Sequence, residues 1–210
     1  MVIDVLRMTS TAATLMRRPA CAHVAVAATL EDLPGLAIPA SACVVVSELL
    51  SASWPGAWVD NSPARVSDMD FEGRTAVLVT TNGTRALLAA AACADQVLLA
   101  SFIDLHAVAR YIDEQGISSL ALLPAGHFVT GEARIEDDLC ADALASLVSG
   151  DEPDLATMAA LIRADARVRR RIEAAPGFSA DVDLALTSDP GARVLRFHAL
   201  GAAVGRVVRA

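Results

Sequence analysis

The segment Val77-Leu-Val-Thr-Thr-Asn-Gly-Thr-Arg-Ala-Leu87 decides the fold, because a strand-like apolar run leads through a glycine turn directly into a helical pattern. Such a turn directs backbone N–H groups and the positive end of a helix dipole at one point, which suits a phosphate or a carboxylate. An ordinary strand-to-helix turn, with Asn82-Gly83 at positive φ and Thr84 as the N-cap, explains the same residues. This segment alone supports both interpretations equally.

The same order of strand and helix recurs along the chain. Strand-like runs precede helical patterns at 1–6 and 10–18, 76–79 and 84–93, 96–100 and 105–114, and 119–124 and 136–148, and further strands are expected at 23–27 and 43–46. This order predicts an α/β fold with three layers, α/β/α, around a mostly parallel or mixed sheet. Folds of this kind bind ligands outside the carboxyl ends of their strands.

The length of 210 residues, 54% of them hydrophobic, predicts one domain over residues 1–210. Segment 51–73, with two tryptophans and two prolines, is expected to be an irregular excursion or a lid. Residues 154–175 are predicted to form a helix with a solvated arginine face. The pattern weakens over 176–210, where Arg193–Phe197 is expected to be an edge strand.

Charge and composition exclude several classes of function. The net charge of −8 argues against nucleic acid and anionic membranes as partners, because both need a basic surface. All 17 basic residues are arginine, which removes the phosphate-binding lysine of P-loops and Schiff-base chemistry. Four widely spaced cysteines and the lack of an apolar run of about 18 residues predict a cytoplasmic protein with reduced thiols, and leave homo-oligomerisation open.

Two further segments place charged residues at expected strand ends or helix starts. Asp4 interrupts the first apolar run and Arg7 follows it, so the pair either holds the turn together or belongs to a metal and oxyanion site. Glu136, Asp137 and Asp138 begin a helix. The helix dipole favours acids there, but three in a row also suit a hard cation.

Taken together, three motifs resemble the 2-phosphosulfolactate phosphatase family, whose members are magnesium-dependent enzymes of sulfonate metabolism. The stretches that carry the resemblance are Ile3-Asp-Val-Leu-Arg-Met-Thr-Ser-Thr11, Thr80-Thr-Asn-Gly-Thr84 and Ile135-Glu-Asp-Asp-Leu-Cys-Ala-Asp142. Asn61-Ser-Pro63 and Ser101-Phe102 also match in order and spacing, so the resemblance covers residues 1 to about 150.

The resemblance implies roles for individual residues. It makes Asp4, Glu136 and Asp137 ligands of Mg²⁺ and, with Arg7, the catalytic residues. The implied substrate contacts are Ser10, Thr11, Asn61, Thr81, Asn82, Gly83, Thr84 and Ser101.

Several positions depart from the family pattern. Ser47-Glu48-Leu49 stands where G-E-R is usual, so the acid is kept and the arginine is lost. Asp60 replaces a glycine, Asp104 replaces an asparagine, and Arg167-Val168-Arg169-Arg170 takes the place of a late H-G-R-R segment. A missing phosphate-facing arginine removes a charge-assisted contact, which would change the substrate or weaken the enzyme.

The motifs and the family resemblance together imply a magnesium-dependent phosphatase for a small anionic phosphate ester, and the resemblance implies 2-phosphosulfolactate or a related phosphorylated 2-hydroxy acid as its substrate. Either a water molecule or Asp4 would attack the phosphorus atom. The alternative is a catalytically weak or inactive homologue that binds a small anion or a protein. An active member would need replacement arginines from Arg85, Arg134 or the 167–171 cluster.

Overall fold

The computed structural model describes residues 1–18, 21–50 and 56–210, and these residues form a nine-stranded mixed sheet with helices. In chain order the elements are β1 (Val2–Ile3), α1 (Met8–Met16), β2 (Val24–Ala27), β3 (Cys43–Val46), β4 (Trp58–Val59), α2 (Pro63–Asp68), β5 (Thr75–Leu78), α3 (Gly83–Ala91), β6 (Val97–Ala100), α4 (Leu105–Glu114), β7 (Leu123–Pro124), α5 (Ile135–Ser149), α6 (Leu155–Ala164), α7 (Ala166–Ala174), α8 (Phe178–Ala185), β8 (Leu195–Ala199) and β9 (Val204–Arg209). Two 3-10 helices, Leu30–Leu36 and Ala40–Ala42, lie between β2 and β3.

The helices cover both faces of the sheet, which confirms the predicted three-layer α/β fold. Alternate residues of a strand point to opposite faces. Val2 and Leu99 accordingly belong to a core that includes residues of α1 and α3. Ile3 and Leu98 belong to a second core, formed with residues of α4, α5 and α8. The strands read as continuous apolar runs because both faces are buried.

The strand order is β4-β3-β5-β2-β9-β8-β6-β1-β7. Strands β4, β3, β5 and β2 are parallel to one another, and so are β6, β1 and β7. The antiparallel hairpin β8–β9 lies between these groups and pairs antiparallel with both. The two parallel groups therefore run in opposite directions. Helix α3 contacts β8, β6 and β1, and it thereby brings the turn after β5 to the end of β1.

Three regions differ from the sequence-based expectation. Residues 58–68 form β4 and α2, whereas 51–55 lie outside the described residues. The helix expected over 154–175 is split, because the Asp165 carboxylate accepts N–H bonds from Arg167 and Val168 and starts α7. Strand β8 lies inside the sheet, not at its edge, because β9 and β6 flank it.

Candidate active site

Asp4 follows β1 and lies where the N-termini of α1 and α3 meet. Its carboxylate is buried, and the backbone N–H groups of Met8 and Gly83 face it. A Cβ atom at position 83 would lie 2.7 Å from Met8 Cβ and even closer to Asp4 Oδ2, so only glycine fits. Burial, followed by the charges of Glu48 and Glu136, raises the pKa of Asp4 to about 7, although the two N–H groups lower it.

Glu48, which the sequence motifs mark only as the remaining acid of a G-E-R segment, contributes to the charge around Asp4. It follows β3, and its Oε1 accepts hydrogen bonds from the Thr81 backbone N–H at 2.8 Å and the Thr81 hydroxyl at 3.0 Å. Its Oε2 is buried and has no hydrogen-bond partner among the described residues. A buried carboxylate oxygen without a donor is costly unless a ligand or cation satisfies it. Its place just after β3 is the signal that could have identified it.

The three acids at the start of α5 have different surroundings. The Asp137 carboxylate accepts the N–H groups of Val5 at 2.8 Å and Gly126 at 3.1 Å. Burial, with the charges of Asp4 and Glu136, raises the pKa of Asp137 well above its usual value. Glu136 is buried and binds Arg167 through both carboxylate oxygens, whereas Asp138 is exposed. Asp4, Glu48, Glu136 and Asp137 are called the acidic cluster below.

Arg7 does not pair with Asp4. Its Nη1 donates to Asp60 at 2.6 Å and to Asp181 at 2.8 Å, and its Nη2 donates to the other oxygen of Asp60 at 3.0 Å. Asp181 also accepts hydrogen bonds from the Ser62 hydroxyl and the Ala64 N–H. These contacts, called the Arg7 network below, join residues up to 174 positions apart, so no local pattern predicts Asp181 as a partner.

The polar groups of the turn after β5 are mostly occupied within the protein. The Thr84 hydroxyl donates to the Thr80 carbonyl at 2.9 Å, and the Thr84 N–H donates to the Thr80 hydroxyl at 3.2 Å. Asn82 Oδ1 accepts the Phe128 N–H at 3.0 Å, which ties the loop after β7 to this turn. The Gly83 N–H faces Asp4, so the N-terminus of α3 already has a carboxylate beside it.

The remaining predicted contacts fall into two groups. Thr11 Oγ1 and Asn61 Oδ1 are buried and lack hydrogen-bond partners among the described residues. Ser10 and Ser101 form hydrogen bonds within the protein. The Ser10 hydroxyl donates to the Val5 carbonyl at 2.8 Å, and Ser101 donates its N–H and hydroxyl to Asp104.

The donor groups fit a magnesium ion held by few protein ligands. Among residues 1–18, 21–50 and 56–210, no three His, Cys, Asp or Glu side chains are grouped to hold a metal ion on their own. Magnesium, however, commonly binds one or two carboxylates and keeps waters or substrate oxygens in its other positions. Asp4 and Glu48 meet that smaller requirement because their charges interact and Glu48 Oε2 has no donor among the described residues.

The fold and these contacts define a three-layer α/β protein with an acidic cluster at the N-termini of α1, α3 and α5. Residues 1–189 match the family model of 2-phosphosulpholactate phosphatase, so the chain belongs to this family. The family match thus extends beyond the 1–150 region that carries the sequence resemblance. It includes Arg167, Arg171 and Asp181.

Curated relatives support the same assignment. The chain is 35% identical over 153 residues to a "Probable 2-phosphosulfolactate phosphatase" of Deinococcus radiodurans, covering 72% of this chain and 62% of the relative. It is 37% identical over 145 residues to the protein of that name from Thermus thermophilus, covering 69% and 59%. A third relative of that name, from Synechocystis, is 35% identical over 149 residues, covering 70% and 60%. The match thus spans about three fifths of each of these relatives. In the part of the chain that the structure describes, no helix is long and apolar enough to cross a membrane.

Proposed function

We propose that this protein is a magnesium-dependent phosphatase that hydrolyses a small anionic phosphate ester, and that 2-phosphosulfolactate or a related phosphorylated 2-hydroxy acid is its substrate. The observation that carries the proposal is the acidic cluster around Asp4. Burying several carboxylates costs free energy, and such groups with raised pKa values concentrate at functional sites. The family assignment and the names of the relatives support the reaction.

In this proposal Asp4 and Glu48 would hold the magnesium ion. Glu136 and Asp137, which the family resemblance implies as further ligands, are hydrogen-bonded to Arg167 and to the N–H groups of Val5 and Gly126. When bound, the ion supplies positive charge that offsets the phosphoryl oxygens. The helix N-termini at Met8 and Gly83 keep Asp4 fixed, and the Arg167 contact keeps Glu136 in place. A water molecule would attack the phosphorus atom in line with the leaving oxygen. If the Asp4 carboxylate attacks instead, the leaving alcohol departs first and water then hydrolyses the aspartyl phosphate to release inorganic phosphate.

The test is phosphate release from a panel of esters that includes 2-phosphosulfolactate and 2-phospholactate, with magnesium and with a chelator. We expect release that needs magnesium and falls at least about a hundredfold in Asp4→Asn and Glu48→Gln. Asp138→Asn is the matched control, because this carboxylate is exposed on the first turn of α5 and should leave the rate unchanged. If no ester is turned over although the folded protein binds inorganic phosphate, the non-catalytic, anion-binding alternative replaces the proposal.

A further inference from the structure

Arg7, the arginine closest in sequence to Asp4, has little capacity left for a ligand. Its side chain is only 6% exposed, and both of its terminal nitrogens donate to carboxylates. The two parallel bonds to Asp60 are the bidentate arrangement that a phosphate or sulfonate would otherwise adopt. A ligand anion can therefore take the bidentate Nη1–Nη2 side of Arg7 only by displacing Asp60.

The two carboxylates that bind Arg7 are not equally replaceable. Asp181 has 2% side-chain exposure and also accepts from the Ser62 hydroxyl and the Ala64 N–H. Asp60 has 31% side-chain exposure, and the hydrogen bonds of its carboxylate run to Arg7. Asp60 therefore occupies the outward-facing side of Arg7, where a ligand would arrive.

A second arginine lies close to this network and is not committed to a carboxylate. Arg171 lies one turn after Arg167 on α7, and its guanidinium stacks on the Phe178 ring at 4.4 Å from the ring centre. The same ring lies 5.7 Å from the Arg7 guanidinium. Among the described residues Arg171 has no ion-pair partner, whereas Arg167 is paired with Glu136.

The charges around Arg171 favour an added anion. Burial and the positive charges of Arg7 and Arg167 lower the pKa of Arg171, and the nearby carboxylates of Asp60 and Glu48 only partly oppose this effect. An anion placed between Arg171 and its neighbouring arginines would relieve their mutual repulsion. The contact with the Phe178 ring restricts the Arg171 side chain, so less side-chain freedom is lost when a ligand binds.

We propose that Arg171, stacked on Phe178, is the residue that binds an oxyanion of the ligand in this protein, and that Asp60 keeps Arg7 from doing so. This inference rests on the proposed function, because the oxyanion is part of the phosphate ester. It is either the phosphoryl group of the ester or its second acid group. Arg171 is then a specificity-determining residue, because it selects esters that carry an anionic group at its position.

The test measures binding of inorganic phosphate and of methanesulfonate by calorimetry, without metal or ester turnover. In Arg171→Gln we expect binding of one of the anions to weaken at least about tenfold, since a charge-assisted hydrogen bond is lost. Arg170→Gln, an exposed neighbour on α7, should bind as the wild type does. If only the binding of phosphate depends on Arg171, this residue contacts the phosphoryl group of the ester. If the binding of methanesulfonate depends on Arg171, this residue contacts the second acid group.

A second variant tests the role of Asp60. Asp60→Asn keeps the size of the side chain but removes its charge, so we expect it to bind anions more tightly. We also expect Arg171→Gln to reduce anion affinity less in Asp60→Asn than in the wild type. Equal affinities of Arg171→Gln and Arg170→Gln, in proteins with native circular dichroism, would overturn the inference. So would unchanged affinity in Asp60→Asn. Ester hydrolysis is measured separately. If the protein hydrolyses an ester but its anion binding does not depend on Arg171, the inference about Arg171 is rejected and the proposed function stands. If anion binding depends on Arg171 but no ester is hydrolysed, the proposed function is rejected and the inference stands.

Discussion

Replacing Asp104 with asparagine should make the protein more stable above neutral pH. The Asp104 side chain is buried, and its Oδ1 accepts the Ser101 N–H at 2.7 Å and the Ser101 hydroxyl at 3.1 Å. Its Oδ2 has no hydrogen-bond partner among the described residues. Burial raises the pKa of Asp104 from 3.8 to about 7, although the Ser101 groups lower it. An asparagine keeps the acceptor for Ser101 and never ionises.

The sign of the effect follows from proton binding. Between pH 3.8 and about 7 the folded protein keeps the Asp104 proton while the unfolded chain loses it, so stability falls as the pH rises through this window. At about 1.4 kcal/mol per pKa unit, the loss from this group approaches about 4 kcal/mol above pH 7. An uncharged asparagine avoids that loss. The advantage of Asp104→Asn should therefore grow by about 3 kcal/mol between roughly pH 4.5 and pH 8.

The assay is urea unfolding followed by circular dichroism across that pH range, for the wild type and Asp104→Asn. The difference between the two proteins is the relevant quantity, because Asp4 and Asp137 also have raised pKa values and affect both proteins alike. Asp138→Asn supplies the control, since it makes the same substitution at an exposed position. A flat or falling difference for Asp104→Asn would refute the argument that its buried carboxyl holds its proton.

Three further changes test other parts of the structure. Gly83→Ala should destabilise the protein by about 1–3 kcal/mol in thermal unfolding, because the added Cβ would overlap Met8 and the Asp4 carboxylate. Arg167→Gln should cost roughly 3 kcal/mol in urea unfolding, since it leaves the buried Glu136 carboxylate without its partner. Millimolar magnesium should raise the melting temperature of the wild type but not that of Asp4→Asn, because an ion that binds the native state stabilises it by mass action.

The two stability variants, Gly83→Ala and Arg167→Gln, each have a matched control. Gly177→Ala adds a methyl group that meets no atom within 4 Å among the residues that the structure describes, apart from its chain neighbours and its own helix backbone, so it should be nearly neutral. Arg169→Gln removes an exposed arginine from the same helix as Arg167. An equal loss of stability in a variant and its control would contradict the packing or pairing argument. An equal magnesium shift in Asp4→Asn and the wild type would exclude Asp4 as an important ligand.

Periodicity predicted the fold where the contacts are local. The strand Cys43–Val46 and the helix Leu105–Glu114 have the predicted bounds, because apolar spacing and helix-forming residues act within a few positions. The central position of β8 was missed, since its pairing with β6 and β9 depends on contacts across the sheet. The division at Asp165 was missed because the capping residue stands inside an otherwise continuous helical pattern.

The sequence singled out three of the four acids of the acidic cluster, and it did not indicate the contacts of the arginines. Asp4 could be recognised because burying a charged residue beside an apolar strand costs free energy unless the charge has a partner. The partners of Arg7 could not be recognised in the same way, because Asp181 is 174 residues away from Arg7 in the sequence. The arginines of α7 match the pattern of a solvated face, but Arg167 binds Glu136 and Arg171 stacks on Phe178. The neighbours of a helix in the folded protein decide which of its faces is exposed to solvent. The sequence of α7 alone does not show those neighbours.

The most direct test of the central claim is phosphate release from 2-phosphosulfolactate in the presence of magnesium, compared among the wild type, Asp4→Asn and Asp138→Asn. We predict that the wild type and Asp138→Asn release phosphate at the same rate and that Asp4→Asn is at least about a hundredfold slower. Release by Asp4→Asn at the wild-type rate, or release that continues with a chelator present, would contradict the assignment of the acidic cluster as a magnesium-dependent phosphatase site.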